Sequence, residues 1–287
     1  MPLGDFLKSI FHYEAKVDVF ARYEVLREAI SGTMSKFYKA RDRQNGDIVG
    51  LKVLDKAQTA ALEQRLRGIK KPTEGEIALA LDHPRLVKTF SHGITTKDEQ
   101  FLVMEYLDGP GLNSVIVGQA PEMAQNLLHL MRQSAESIAA VHEAGYIHRD
   151  ICPRNFVVLK DFSELKLIDF GLSVPATADF MKPGNRTGTP AYMSPEVARR
   201  RPTDQRLDVF SFGVTAYEMC TWRLPWESGK KDGKAALAHD SVEPTPILEH
   251  RPDLDPRLAQ AIMKCLVTDP NQRPRSMRAF LTQISTI

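Results

Sequence analysis

No apolar run in this chain of 287 residues approaches the roughly 20 residues that a helix needs to cross a bilayer. Cysteine is scarce. Cys152, Cys220 and Cys265 lie far apart and are odd in number, so neither a disulfide framework nor a Cys-based zinc site finds support. An excess of one charge is missing too: 38 Lys and Arg against 36 Asp and Glu leave a formal net charge of +2. That balance argues against a dedicated nucleic-acid binder, which draws its affinity from many phosphate contacts. No secretory signal is evident, because Asp5 comes early and no apolar stretch precedes a cleavage site. Internal repeats and low-complexity tracts are also lacking. The expectation is a reduced, cytoplasmic protein. What is there suits a folded chain: 43% hydrophobic and 26% charged residues can bury a sizeable core. The length fits about two structural units.

Residues 1–19 read as an N-terminal extension, with Phe6, Leu7, Ile10 and Phe11 at helical spacing. From about Tyr23 to Leu107 the texture favours strands. Residues 47–54 (DIVGLKVL) follow Asn45-Gly46, a strong hairpin signal. Residues 73–81 predict a helix and residues 100–106 (QFLVMEY) another strand. Between Pro121 and Gly145, Leu127, Met131, Ile138 and Val141 keep helical periodicity, and Gly145 is placed to end that helix. Short strands follow near 156–159 and 165–168, and the remainder is helical with loops. A β-rich first third before a helical remainder predicts an α+β fold in two lobes, divided near Leu107–Gly111.

Chemistry-bearing residues concentrate in residues 148–155 (HRDICPRN), between the long helix and a short strand, and in Asp169-Phe170-Gly171, which ends the next strand. A hairpin fold-back lets Asp150, Asn155 and Asp169 converge. Carboxylate and amide oxygens without Cys or His ligand spacing suit a hard ion such as Mg²⁺. Lys52 sits in an apolar strand, either as an edge-facing solvated charge or as a buried cation aimed at an anion; read alone, the edge position is favoured.

Together these pieces resemble the protein-kinase superfamily, from about Tyr23 to Leu281. The strand motif Val49-Gly50-Leu51-Lys52, the loop His148-Arg149-Asp150 with Asn155, the Asp169-Phe170-Gly171 triplet, residues 188–196 (GTPAYMSPE), Asp208 and Arg273 occur in the family's order. The resemblance implies a two-lobed fold, with a small β-rich lobe carrying one main helix over about 20–107 and a larger helical lobe over about 108–287. It implies phosphoryl transfer from ATP to Ser/Thr hydroxyls of protein substrates, with Mg²⁺ or Mn²⁺. In that scheme Lys52 holds the α- and β-phosphates and Glu74, or Glu76 if the helix register differs, fixes Lys52. Asn155 and Asp169 hold the metal, and Asp150 orients the acceptor hydroxyl and takes its proton. Met104, Glu105 and Leu107 fall at the rear of the adenine site and its hinge, with Val157 on the other lobe. Arg273 is expected to pair with Glu196, at the end of the activation segment.

Departures from the family pattern are specific. Ile30, Gly32 and Ser35 take the three glycine positions of the phosphate loop, with Thr33 and Ser35 offering hydroxyls; weaker ATP binding is expected. Phe37 replaces the usual Val and Gly50 the usual Ala, a volume-conserving exchange. Cys152 replaces the usual Lys, so Arg154 becomes the compensating cation and Cys152 a candidate for thiol modification. Arg149 implies control by activation-segment phosphate, yet Asn185 occupies the commonest phosphosite and Thr187 is the nearest hydroxyl. Thr189 favours Ser/Thr specificity, with dual specificity open. Two alternatives stay open: a pseudokinase that binds nucleotide or partners, and a small-molecule kinase. The Ser194-Pro195-Glu196 motif and Arg273 argue against the latter. Oligomeric state is not readable.

Overall fold

The computed structural model describes residues 16–31, 34–65, 68–184, 186–226, 239 and 241–287, with the backbone alone for 28–31. The expected helical prelude around Phe6–Phe11, together with Gly32, Thr33 and Asn185, lies outside the described residues. The chain divides into two units. One holds the described residues up to Gln64 with Thr89–Tyr106; the other holds Arg65–Lys88 with Leu107–Ile287.

The first unit is a five-stranded antiparallel sheet. A short helix, α1 (Val19–Arg22), starts on Asp18, whose carboxylate accepts the Phe20 and Ala21 N–H groups and so satisfies a free helix end. The strands follow as β1 (Tyr23–Ser31), β2 (Ser35–Asp42), β3 (Ile48–Leu54), β4 (Thr89–Ile94) and β5 (Gln100–Glu105), in spatial order β1-β2-β3-β5-β4. The β2–β3 turn forms where Asn45-Gly46 predicts it. Gly46 has φ 82°, a left-handed value that favours glycine, and Asn45 Oδ1 accepts the Asp47 N–H at 3.0 Å. Alternation sends Val49, Leu51 and Val53 into a core with Val19, Tyr23, Ala40, Phe101 and Val103. Lys52 and Gly50 therefore take the opposite face. A further helix, α2 (Lys56–Gln64), follows β3 and buries none of its residues.

In the second unit α3 (Glu74–Ala80) begins with a capping box. Thr73 Oγ1 accepts the Glu76 N–H at 3.2 Å, and the Glu76 carboxylate accepts the Thr73 N–H at 2.6 Å. After α4 (Leu112–Val117) comes α5 (Pro121–Glu143), whose buried stripe includes Leu127, Met131, Ile138 and Val141 as the periodicity predicts. Two small ribbons follow: β6 (Tyr146–Ile147) with β9 (Val174–Pro175), and β7 (Phe156–Val158) with β8 (Leu165–Leu167). Helices α6 (Pro195–Ala198), α7 (Arg206–Thr221), α8 (Ile247–His250), α9 (Pro256–Cys265) and α10 (Met277–Gln283) complete the unit. Nearly every residue of α7 is buried, so it forms the centre of this unit instead of an amphipathic surface helix. A Cβ on Gly213 of α7 would stand 2.7 Å from the Cys265 Cβ, so glycine lets α7 and α9 approach closely. Among the described residues no helix is long and apolar enough to cross a membrane.

Candidate active site

Asp208, in the first turn of α7, is fully buried and organises the loop that follows β6. Its Oδ2 accepts the His148 N–H and the His142 Nε2–H, both at 2.8 Å, and its Oδ1 accepts the Arg149 N–H at 2.8 Å. Burial pushes the Asp208 carboxyl up. The His142 hydrogen bond, the charges of His142 and His148 and the His148 amide outweigh it, leaving the carboxyl below the usual range. Arg149 sits at φ 70°, an uncommon conformation for a side chain of its size, where these bonds hold it.

The loop then presents Asp150. Its Oδ1 accepts both the N–H and the Oγ1–H of Thr189, each at 2.8 Å, and its Oδ2 accepts from Asn155 Nδ2 at 3.1 Å. Asn155 Nδ2 also donates to the Asp150 carbonyl at 2.7 Å. Because both partners are acceptors, the amide nitrogen must face Asp150, and Oδ1 is the atom Asn155 presents elsewhere. The β7–β8 pairing sets Phe156 against Leu167, and the Ile168 N–H donates to the Asn155 carbonyl at 2.9 Å. Asn155 and Asp169 thus leave adjacent ends of one ribbon. Burial holds the His148 imidazole below its usual range against the charges of Asp208, Asp150 and Asp169, and its ring meets Phe170 edge-on at 5.8 Å.

Glu74 is buried in the first turn of α3, and its Oε2 comes within 3.2 Å of where a Gly171 Cβ would stand. Glu76 is exposed and occupied by the capping box. Sequence reasoning missed Lys71, whose Nζ donates to the Gly171 carbonyl at 2.6 Å, and His142.

On the first unit, antiparallel pairing sets Phe37 and Leu102 beside Lys52, Lys39 and Met104 beside Gly50, and Ser35 beside Leu54. Ser35, Phe37, Gly50, Lys52 and Met104 therefore share one face of the sheet, and the Ile30 backbone pairs with Phe37. Lys52 is only 7% exposed and lies on the central strand, so the solvated edge position is excluded. A Cβ on Gly50 would stand 2.7 Å from Phe37 Cζ and 3.1 Å from Met104 Cγ. The Phe37 ring thus fills the space that an alanine methyl would occupy. Glu105, Leu107, Val157 and Thr187 are half-buried.

A family model described as a protein kinase domain matches residues 23–283. The chain belongs to the protein kinase family. It is 31% identical over 276 residues to serine/threonine-protein kinase pkn3 of Myxococcus xanthus, covering 93% of this chain and 50% of the relative. It is 30% identical over 275 residues to serine/threonine-protein kinase PknB of Mycolicibacterium smegmatis, covering 92% and 43%. Serine/threonine-protein kinase PrkC of Bacillus subtilis is 28% identical over 271 residues, covering 93% and 41%. The matched region spans half or less of these relatives' length.

Two further features of this kinase domain follow the family expectation or correct it. Glu196 and Arg273 form the expected pair, a buried two-pronged bridge at 2.8 and 2.9 Å. Arg273 also donates to the carbonyls of Val267, Thr268 and Arg206 and lies 4.9 Å over the Phe210 ring. Cys152, a candidate for thiol modification from its position, lies in an environment that does not favour reaction. It is 1% exposed, and burial, reinforced by the Asp150 charge, pushes its thiol up to about 12, leaving it protonated and shielded. Arg154, the expected compensating cation, is exposed on the short turn Pro153–Asn155.

Proposed function

We propose that this kinase domain transfers the γ-phosphoryl group of ATP to serine and threonine hydroxyls of protein substrates. The observation that carries the proposal is the Asp150 carboxylate, held by Thr189 on one oxygen and Asn155 on the other. A base held this way can orient an acceptor hydroxyl and take its proton. Phosphoryl transfer asks for positioning and charge stabilisation more than for covalent work, and rigid polar residues supply that.

The residues fit a hard divalent ion. Asn155 presents an amide oxygen and Asp169 a carboxylate. Among the described residues no cluster of three His, Cys, Asp or Glu side chains could form a protein cage. That donor set suits Mg²⁺, which keeps few protein ligands and shares the nucleotide phosphates. When bound, Mg²⁺ (or Mn²⁺) neutralises phosphate charge. Asn155 and Asp169 would hold it, Lys52 would serve the α- and β-phosphates, and Gly50, Phe37 and Met104 would meet the base. Arg154 supplies positive charge toward the γ-phosphate in place of the Lys that Cys152 replaces. Thr187 is the hydroxyl of the activation segment that would carry a regulatory phosphate.

A second reading, a pseudokinase scaffold, is favoured by one feature: Ile30 and Ser35 occupy positions where glycine lets backbone approach phosphate. Transfer of labelled phosphate to a generic protein substrate separates the two. The wild-type chain should transfer with Mg²⁺ or Mn²⁺, and Asp150→Asn should lose roughly 10²- to 10⁴-fold. Equal silence of both proteins with either metal would hand the chain to the scaffold reading.

A further inference from the structure

Gly171 is restrained from three directions within the second unit. Its N–H donates to Asp169 Oδ1 at 2.9 Å, and its carbonyl accepts from Lys71 Nζ at 2.6 Å. A Cβ on it would stand 3.2 Å from both Asp169 Oδ1 and Glu74 Oε2. The segment Lys71-Pro72-Thr73-Glu74 therefore reaches Gly171 twice, once at each end. Proline fixes its own φ and the capping box fixes Thr73, so the Lys71 backbone is set relative to α3. Glycine has the widest backbone freedom of any residue, so its peptide holds one orientation only where neighbours impose it. A half-buried ammonium on a carbonyl is a charge-assisted bond, stronger than a neutral one.

We infer that Lys71 is a positioning residue for Asp169. By holding the Gly171 carbonyl it fixes the peptide that follows Gly171, which narrows the backbone angles open to Gly171 and so keeps its N–H, on the preceding peptide, within reach of Asp169 Oδ1. The inference rests on the assignment of Asp169 to the metal. Without the ammonium the Gly171–Leu172 peptide can swing, and the Gly171 backbone holds its N–H on Asp169 Oδ1 less firmly.

The test compares the 287-residue chain with Lys71→Met and Lys71→Arg by hydrogen exchange without nucleotide, and by phosphate transfer at varied Mg²⁺. In Lys71→Met, exchange across residues 168–174 should rise about ten-fold while α5 stays unchanged, and Lys71→Arg should restore most of the protection. The Mg²⁺ concentration for half-maximal transfer should rise about ten-fold in Lys71→Met, with the ATP KM at saturating Mg²⁺ within about two-fold of wild type. Unchanged exchange at 168–174, an equal rise in α5, or an unchanged Mg²⁺ requirement would each overturn the inference. A wild-type chain that transfers no phosphate would instead sink the phosphotransfer reading, and exchange at 168–174 would judge the Lys71 restraint by itself.

Discussion

Thr189 bonds Asp150 twice, through its N–H and its hydroxyl, and both contacts fall on Oδ1 at 2.8 Å. The contact depends on Gly188. With φ 118° and a notional Cβ 2.7 Å from the Arg149 carbonyl oxygen, that position leaves no room for a side chain. The segment before α6 is thereby pressed onto the loop that carries Asp150. Cys152 Sγ lies 3.7 Å from the oxygen of the same Thr189 hydroxyl. The Thr189 hydroxyl is thus a second restraint on Asp150, beside the Thr189 N–H.

Replacing Thr189 tests this directly. Thr189→Ala keeps the backbone bond and loses the hydroxyl bond, and displacement of a positioned base by a fraction of an ångström costs up to about 10²-fold. The expected result is a kcat lower by roughly ten- to hundred-fold, a nearly unchanged ATP KM and recovery in Thr189→Ser. Steady-state kinetics on a peptide substrate measures it. Equal rates for wild type and Thr189→Ala would remove the role.

Much of the candidate site was legible in local backbone signals, although Lys52 read alone pointed to an edge position. Asn45-Gly46 fixes the turn into β3, alternation puts Lys52 opposite Val49, Leu51 and Val53, and the short β7–β8 ribbon carries Asn155 to Asp169. Thr73-x-x-Glu76 is a capping-box pattern in the sequence, and it engages Glu76 at the helix start. Other features left no mark. Helix α2 buries no residue, so it has no apolar periodicity to read. Lys71 bonds a backbone carbonyl 100 positions away, and a carbonyl is the same in every residue. Burial of Cys152 comes from packing that its neighbours in sequence do not announce.

Glu196 and Arg273 should behave as a unit. Removing one partner of a buried ion pair strands the other charge, at a cost of about 3–5 kcal/mol. Arg273→Ala should therefore lower stability by about that amount, and more than Glu196→Gln, since Arg273 also serves three carbonyls. The double variant should cost less than the sum of the singles. Urea unfolding of the four proteins checks it; strict additivity would show the two side chains act independently.

The three cysteines set a pH dependence. Burial pushes the thiols of Cys152, Cys220 and Cys265 up to about 12, from an ordinary value of 9.0. The folded state holds these protons more tightly than the unfolded chain. Their contribution is complete below pH 9 and is lost as pH rises from about 9 toward 12. At pH 8 a thiol reagent should modify none of the three in the native protein and all three in denaturant. Labelling of Cys152 in the folded chain would contradict its burial.

The Phe37–Gly50 pair is the sharpest test of how the sheet face is built. A methyl at position 50 would press to 2.7–2.8 Å on the Phe37 ring and 3.1 Å on Met104 Cγ. Gly50→Ala should therefore drive the Phe37 ring aside, at the roughly 1–3 kcal/mol typical of overpacking, and raise the ATP KM. Phe37→Val alone should leave a hole on the same face and also raise KM. Combined, Phe37→Val with Gly50→Ala restores complementary volumes, so the double variant should recover most of the affinity and stability that either single change loses. That sign is opposite to additivity, as expected for side chains in contact. Measuring ATP KM and thermal midpoint for the four proteins decides it. If the double variant is as impaired as the sum of its parts, ring and glycine are not complementary. If Gly50→Ala leaves KM unchanged, this face does not meet the base.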